Sequence, residues 1–397
     1  MTTTIAKRVP PTPRESGIRG FRTWWNSLSR PQQWLGMLPV VLLVYLLPLW
    51  HNMPLVSTEP NKDFPLALFS AAVLVLVALG LNVVVGQAGL LDLGYVGFFA
   101  VGTYVAALLT SKDSALHKLP YLATLPLAML VTMIAGLLLG TPTLRLRGDY
   151  LAIVTLGFGE IVRLLATIVP AVKGQDGLQA VGHPPGTKSN GQQIFASVGD
   201  GTAWYWLMVT VIIIVLLFVG NLERSRVGRA WVAIREDEDA AQIMGVATFK
   251  FKLWAFAIGA AIGGLSGALL AGQVSFVNNQ DFGVQFSVLY LAAVVLGGSG
   301  NKVGVMLGAF IVSYLPDRFT FLSGTTVHVF GVPLQLQKFL VFGLALIVLM
   351  IFRPQGLLGA RLRLLARGRQ AYRRLVGRPE QLSSDSALTA EQEAVAP

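Results

Sequence analysis

Cysteine is absent from the 397 residues. That excludes disulfides, thiolate metal sites and a cysteine nucleophile, and it leaves the redox compartment unreadable. Charge is scarce as well: Asp, Glu, Lys and Arg make up 13% of the chain, against roughly 25% in a soluble globular protein. A water-facing surface needs those charges, so their shortage argues for a surface that meets lipid. The four histidines, at 51, 117, 183 and 328, are scattered, and no pair has the helical spacing of metal ligands. No Gly-x-Ser-x-Gly elbow occurs. Gly297 to Lys302 is glycine-rich, but it lacks the order of a phosphate-binding P-loop. The chain thus shows no catalytic constellation, no metal site and no cofactor motif, and it reads as something other than an enzyme.

What is abundant is apolar sequence. Hydrophobic residues make up 54% of the chain, with 42 glycines, and the mean hydropathy is +0.63. A membrane-crossing helix needs about 20 mostly apolar residues, because the hydrocarbon core is about 30 Å thick and a helix rises 1.5 Å per residue. Ten runs qualify, near 33–50, 64–85, 94–110, 120–141, 150–169, 203–220, 252–275, 284–298, 303–321 and 332–352. The first, eighth and ninth are the weakest, so the count lies between eight and ten. The expected fold is an all-α polytopic membrane protein.

The net charge of +11 could suggest nucleic acid, but the basic residues flank apolar runs, as they do beside membranes. They collect in four places: Lys7 to Arg30; Arg145 and Arg147; Arg224 to Lys252; and eight arginines from Arg353 to Arg378. Lys and Arg mark the cytoplasmic side of short loops. Ten spans put all four clusters inside, with both termini cytoplasmic, whereas an odd number would strand one tail outside. The domain reading follows: a basic tail at 1–32 with no cleavable signal, a permease-like membrane domain at 33–352 with an inner loop at 221–251, and a tail at 353–397, basic and then Ser/Ala/Glu-rich and disordered. Gly86 to Leu109 and Gly297 to Leu315 both open with glycine and continue as an apolar helix. In the ten-span scheme their halves run oppositely, which permits an inverted repeat of the kind transporters use.

Two groups of residues stand out. The inner loop 228–245, GRAWVAIREDEDAAQIMG, places Trp231, Ile234, Ala241 and Met244 on roughly one helical face, with an acidic turn from Glu236 to Asp239. Acids starting a second short helix near Asp239 suit its dipole, and Gly245 is its expected stop. The loop is either a handle for a soluble partner or a solvated connector. In the second group, Gly86, Gly89, Gly94, Gly97 and Gly102 interrupt an apolar run beside Asn82, Gln87 and Asp92. Glycines let helices pack tightly or let backbone unwind beside a cavity, and polar groups there are costly in lipid unless they face a cavity or a partner. Glu160 and Arg163, three residues apart inside the fifth run, can pair on one helical face; they form either a structural ion pair or a gate or partner contact.

Four segments together resemble the LivM-type permease of branched-chain amino-acid ABC importers: 81–102, LNVVVGQAGLLDLGYVGFFAVG; 146–163, LRGDYLAIVTLGFGEIVR; the loop 228–245; and 294–300, VVLGGSG, with 353–358, RPQGLL. The resemblance covers residues 81 to 358, departing at Asp92, where an uncharged residue is expected. It implies an ATPase-coupling loop carrying Gly228, Arg229, Trp231, Arg235, Glu236, Asp237, Ala240, Ala241 and Gly245. It also implies a second, related permease, two ATPase subunits, an extracytoplasmic substrate-binding protein that docks near the turn at 174–177, and a small amino-acid substrate. Asn82, Gln87, Gly89, Asp92, Glu160 and Arg163 are the residues expected along a translocation path or gate. A proton-coupled carrier is the other reading; it would lean on Asp92 and Glu160 as proton carriers.

Overall fold

The computed structural model describes residues 39, 41–50, 64–114, 118–146, 148–174, 176–187, 193–195, 201–323, 328–329, 332–333, 343–344 and 347. Its helices are α1 (Phe64–Leu81), continued by a π-helical turn (Asn82–Gln87), α2 (Tyr95–Thr110), α3 (Tyr121–Thr143), α4 (Asp149–Ile168), α5 (Thr202–Arg224), α6 (Arg226–Glu236), α7 (Glu238–Ile243), α8 (Thr248–Val274), α9 (Val284–Gly297) and α10 (Lys302–Ser323). Among the described residues, five helices are long and apolar enough to cross a membrane, and α2, α9 and the first part of α10 are shorter apolar helices. The protein is an all-α polytopic membrane protein. Eight of the ten expected runs coincide with helices. Of the run 33–50, residues 41–50 are helical and dock on α5, where Tyr205 Oη donates to the Val44 carbonyl at 2.9 Å and Trp206 Nε1 to that of Tyr45 at 3.1 Å. The run 332–352 and both tails lie almost wholly outside the described residues.

α8 and α1 form the centre. A helix that is apolar all round is one enclosed by others, and 89% of the α1 span and 78% of α8 are buried. α2 and α3 pack along α8. At the α2–α8 crossing, a Cβ on Gly102 would collide with the Gly264 carbonyl, so the two backbones touch. Two tyrosines carry their hydroxyls to carbonyls of α8 in this interior: Tyr95 Oη donates to Gly259 O at 2.7 Å and Tyr121 Oη to Ala268 O at 2.9 Å.

The bundle has two distinct ends. At one, the loops after α2, α4 and α8 meet. Two short antiparallel strands, β1 (Leu178–Gln179) and β2 (Phe276–Val277), are joined there, Asn279 Nδ2 donates to Thr167 Oγ1 at 2.8 Å, and Lys173 pairs with Asp113 at 3.5 Å. Together with the pair β3 (His328–Val329) and β4 (Val332–Pro333), this ribbon is the small departure from an all-helical chain. At the other end lie α6, α7 and the basic residues Arg224 to Lys252; it is called the basic end below.

Candidate functional site at the basic end

The basic end is built around an interruption in α1. From Asn82 the helix widens to a π turn, with Ala88 N–H reaching back to Val83 O at 3.2 Å and Leu90 N–H to Val84 O at 3.1 Å. Single π turns often mark functional positions, and here side chains account for it. The Asn82 amide oxygen leaves its own helix to accept the Gly300 N–H at 2.8 Å. A Cβ on Gly86 would strike both Asn82 Oδ1 and Gly300 N, so only glycine leaves room for that bond. Gly300 itself stands at φ +88°, a conformation that L side chains rarely adopt. The two glycine-rich openings seen in the sequence, 214 residues apart from Gly86 to Gly300, therefore touch.

α6 lies beneath this junction. Ser225 caps it, its Oγ accepting from Val227 N at 3.1 Å and Gly228 N at 3.4 Å. Trp231 is fully buried and donates to the Phe251 carbonyl at 2.7 Å, pinning α6 to the start of α8. Gly228 packs on the Glu223 backbone. One turn beyond Trp231, Arg235 sends its guanidinium upward: Nη1 donates to the Gly86 carbonyl and lies against Gly300, while its aliphatic stem lies along Gly89, at φ +73°. Arg235 thus touches both glycine-rich openings at once.

Charged neighbours complete the junction. Gln87 Nε2 donates to Glu223 Oε1 at 2.7 Å, and Lys302 Nζ to Glu223 Oε2 at 2.6 Å, joining the π turn, the end of α5 and the start of α10. Lys252, whose side chain is 7% exposed, meets Glu238 with its ammonium at 2.5 Å. Beside the Lys252–Glu238 pair is a cavity of about 130 Å³ lined by Gly89, Leu91, Gly148, Arg235, Glu238 and Lys252 among others. Two buried amide atoms, Asn82 Nδ2 and Gln87 Oε1, find no partner among the described residues; in a dry interior each would cost about 1–3 kcal/mol.

The arm bends at Asp237, whose backbone is extended (φ −156°, ψ 110°) and whose carboxylate caps α7 by accepting Ala240 N–H at 2.9 Å. Glu238 and Asp239 occupy the first turn of α7, and Gly245, at φ +84°, follows its end. This bend corrects one expectation. Trp231, Ile234 and Ala241 are buried as a set, but Met244 does not share their face: it is 83% exposed, and Ile243 beside it 85%. A continuous helix would have carried Met244 inward, and the break at Asp237 redirects it. Arg229, Glu236 and Ala240 are also exposed, with Arg229 Nη1 on the Arg224 carbonyl at 3.1 Å.

Of the expected path residues, Asn82, Gln87 and Gly89 come together with Arg235. Asp92 does not join them. It is 1% exposed in the loop before α2, where one carboxylate oxygen accepts Gly94 N–H at 2.8 Å and the other has no partner among the described residues. Burial pushes this carboxyl up to about 6, with the Gly94 bond pulling the other way. Asp92 faces no opening here; it turns the chain into α2. Glu160 and Arg163 stand apart from the Arg235 junction, on α4, with Arg163 Nε donating to both Glu160 oxygens at 3.0 Å.

Comparison with known proteins decides the family. Residues 66–349 match the model described as branched-chain amino acid transport system / permease component. The chain belongs to this family. It is 40% identical over 301 residues to the high-affinity branched-chain amino acid transport system permease protein LivM of Salmonella typhimurium, covering 72% of this chain and 67% of that protein. The LivM of Escherichia coli is 39% identical over the same shares. The probable LivM of Methanocaldococcus jannaschii is 27% identical over 80% of this chain and 93% of its own length. No solved structure matches. Within this family member, Glu223 and Lys302 join the cluster without having been named as site residues in the sequence, and Glu238 and Lys252, named only within the acidic turn and the basic cluster, pair with each other. The available signal was sign: Glu223 is an isolated acid immediately before the Arg224–Arg229 group, and an acid among inside-marking cations has a reason to be there.

Proposed function

We propose that this chain is the membrane-spanning permease subunit of an ABC importer for branched-chain amino acids. It works in a bacterial-type plasma (inner) membrane beside a second, related permease, two ATPase subunits and an extracytoplasmic substrate-binding protein. Residues 33–352 form the permease with ten spans, both tails are cytoplasmic, and the basic end is the cytoplasmic face. Family membership favours this over a proton-coupled carrier.

The observation that carries the mechanism is Arg235. It links the α6–α7 arm to the Gly86 carbonyl, and through it to the contact between the two glycine-rich openings. The outer side of the arm offers Val232, Ile243 and Met244 to a soluble partner, an apolar patch of the sort that partners cover. Closure of the ATPases on ATP pushes this arm; Trp231 carries the push into α8, and Arg235 carries it into α1 and α10. A π turn and two positive-φ glycines are where backbone yields most readily, so the helices re-tilt there and access alternates. ATP is hydrolysed in trans, in the partner ATPase subunits.

Uptake of labelled leucine into vesicles holding this chain with its co-purifying subunits tests the reading. Uptake that requires both ATP and binding protein is expected. Uptake driven by a proton gradient without ATP would overturn it, and ATPase activity stimulated only by a differently loaded binding protein would replace the cargo.

A further inference from the structure

α4 differs from the other long helices in what its open side carries. Only 28% of its span is buried, and the exposed residues recur on one face: Ile153, Ile161, Leu164 and Ile168 are 65, 56, 47 and 73% exposed. Glu160 lies on that face and Arg163 on its flank, with side chains 35% and 30% exposed. Glu160 is the twelfth of the 20 residues of α4, which puts it about 16 Å from the basic end and so close to the middle of a core about 30 Å thick. Gly157 is one turn away on the same face, and a Cβ there would meet nothing within 4 Å. α3 supplies the contrast. Its open side presents Leu130, Ile134 and Leu138, at 48, 45 and 71% exposure, and no charged group. That is a lipid-facing surface.

A half-exposed ion pair at mid-span is not. Against acyl chains each charge costs several kcal/mol, and intramembrane charges face water or protein instead. The pair also leaves hydrogen-bonding capacity unused. Arg163 spends Nε and Nη2 on Glu160, while a guanidinium has five N–H donors and the carboxylate about four acceptor sites. A dry protein seam would strand that capacity. An aqueous path would use it, and the open space at Gly157 leaves room beside it.

We infer that the face of α4 through Gly157, Glu160 and Leu164 lines a water-filled substrate path, with Glu160 and Arg163 as a polar rung for a zwitterionic amino acid. The guanidinium meets the α-carboxylate and the Glu160 carboxylate meets the α-ammonium, while the apolar residues around them take the side chain. The amino-acid cargo rests on the function proposed above; the aqueous path does not.

The chain has no cysteine, so single-cysteine variants report cleanly. Gly157→Cys and Leu164→Cys in the assembled transporter, reconstituted in liposomes, would be treated with a trimethylammonium methanethiosulfonate, which needs a hydrated thiolate; Leu138→Cys on α3 is the lipid-facing control. Both α4 positions should react at least about ten-fold faster than the control. Rates as slow as the control at both would overturn the path, whether lipid or dry protein covers the face. For the rung, the paired neutral variant Glu160→Gln with Arg163→Gln should keep complex abundance and arm-dependent ATPase activity but lose at least about ten-fold of leucine uptake. Unchanged uptake would overturn the rung. Fast labelling in a transporter that moves a cargo other than leucine would keep the path and refute the cargo.

Discussion

On α8, a Cβ added at Gly264 would collide with the Thr132 side chain, and one at Gly267 with the Phe99 carbonyl; on α4, a Cβ at Gly157 would meet nothing. Both helices are apolar and long enough to span, yet 78% of one is buried and 28% of the other. The same residue type therefore serves opposite ends: on α8 it brings backbones together, and on α4 it leaves space open. Enclosed helices here form a scaffold, and the half-open helix bears the only mid-span ion pair whose side chains are among the described residues.

The comparison breaks most directly at the α2–α8 crossing. Gly102→Val puts a side chain into the Gly264 carbonyl, a backbone atom that cannot rotate away. The cost should reach about 3 kcal/mol, the upper end of ordinary overpacking, read as loss of monodisperse protein and a lowered Tm in detergent. A wild-type Tm would mean that the helices are less tightly apposed than described.

Asp92 sharpens the comparison at the seam where α2 meets α4, because Gly94 beside it packs on the Thr155 backbone. Its carboxyl is raised to about 6 from an ordinary value of about 3.9, so the folded state holds the proton more tightly than the unfolded chain. The stabilisation is complete below about pH 4 and is lost as pH rises through about 6, amounting to roughly 2–3 kcal/mol for a shift of this size. Thermal stability should therefore fall between pH 4 and 7. Asp92→Asn should flatten that slope, and an unaltered slope would assign it to another group.

Arg235 is the route from the exposed arm to the enclosed helices. Arg235→Ala removes a charge-assisted bond to Gly86, worth about 1.5–3 kcal/mol. ATP hydrolysis by the complex should persist while leucine uptake falls at least about ten-fold, since roughly 1.4 kcal/mol is a factor of ten. Equal loss of both activities would point to failed assembly instead. The smallest effect is expected at Gly157: Gly157→Ala should change Tm little or raise it slightly, because alanine is favoured over glycine in a helix by about 1 kcal/mol and nothing stands in its way.

Much of this was legible in the sequence. Eight of the apolar runs lie on helices within a few residues of the expected limits, because span length and backbone satisfaction in lipid leave one local solution. The acidic turn, a second short helix opened by acids and the stop at Gly245 were readable as local chemistry; the cap at Asp237 came from the structure. The exposed position of Met244 was not: a second short helix was expected, but periodicity carries no information about the angle at which it leaves the first. Asp92 looked like a path residue by composition, and its burial depends on how α2 and α4 meet.

The sequence by itself determined that this is a membrane protein of many helices with one strongly basic end and with mid-span charge at Glu160 and Arg163. Those properties follow from composition, hydrophobic length and i,i+3 spacing, which are local. Only the tertiary structure decided that Asn82 and Gly300, 218 positions apart, share a hydrogen bond, that Arg235 reaches the Gly86 carbonyl across 149 positions, and which face of α4 stays open. Such pairings depend on which helices become neighbours and how closely their backbones approach, and no periodicity along one helix encodes the identity of the next.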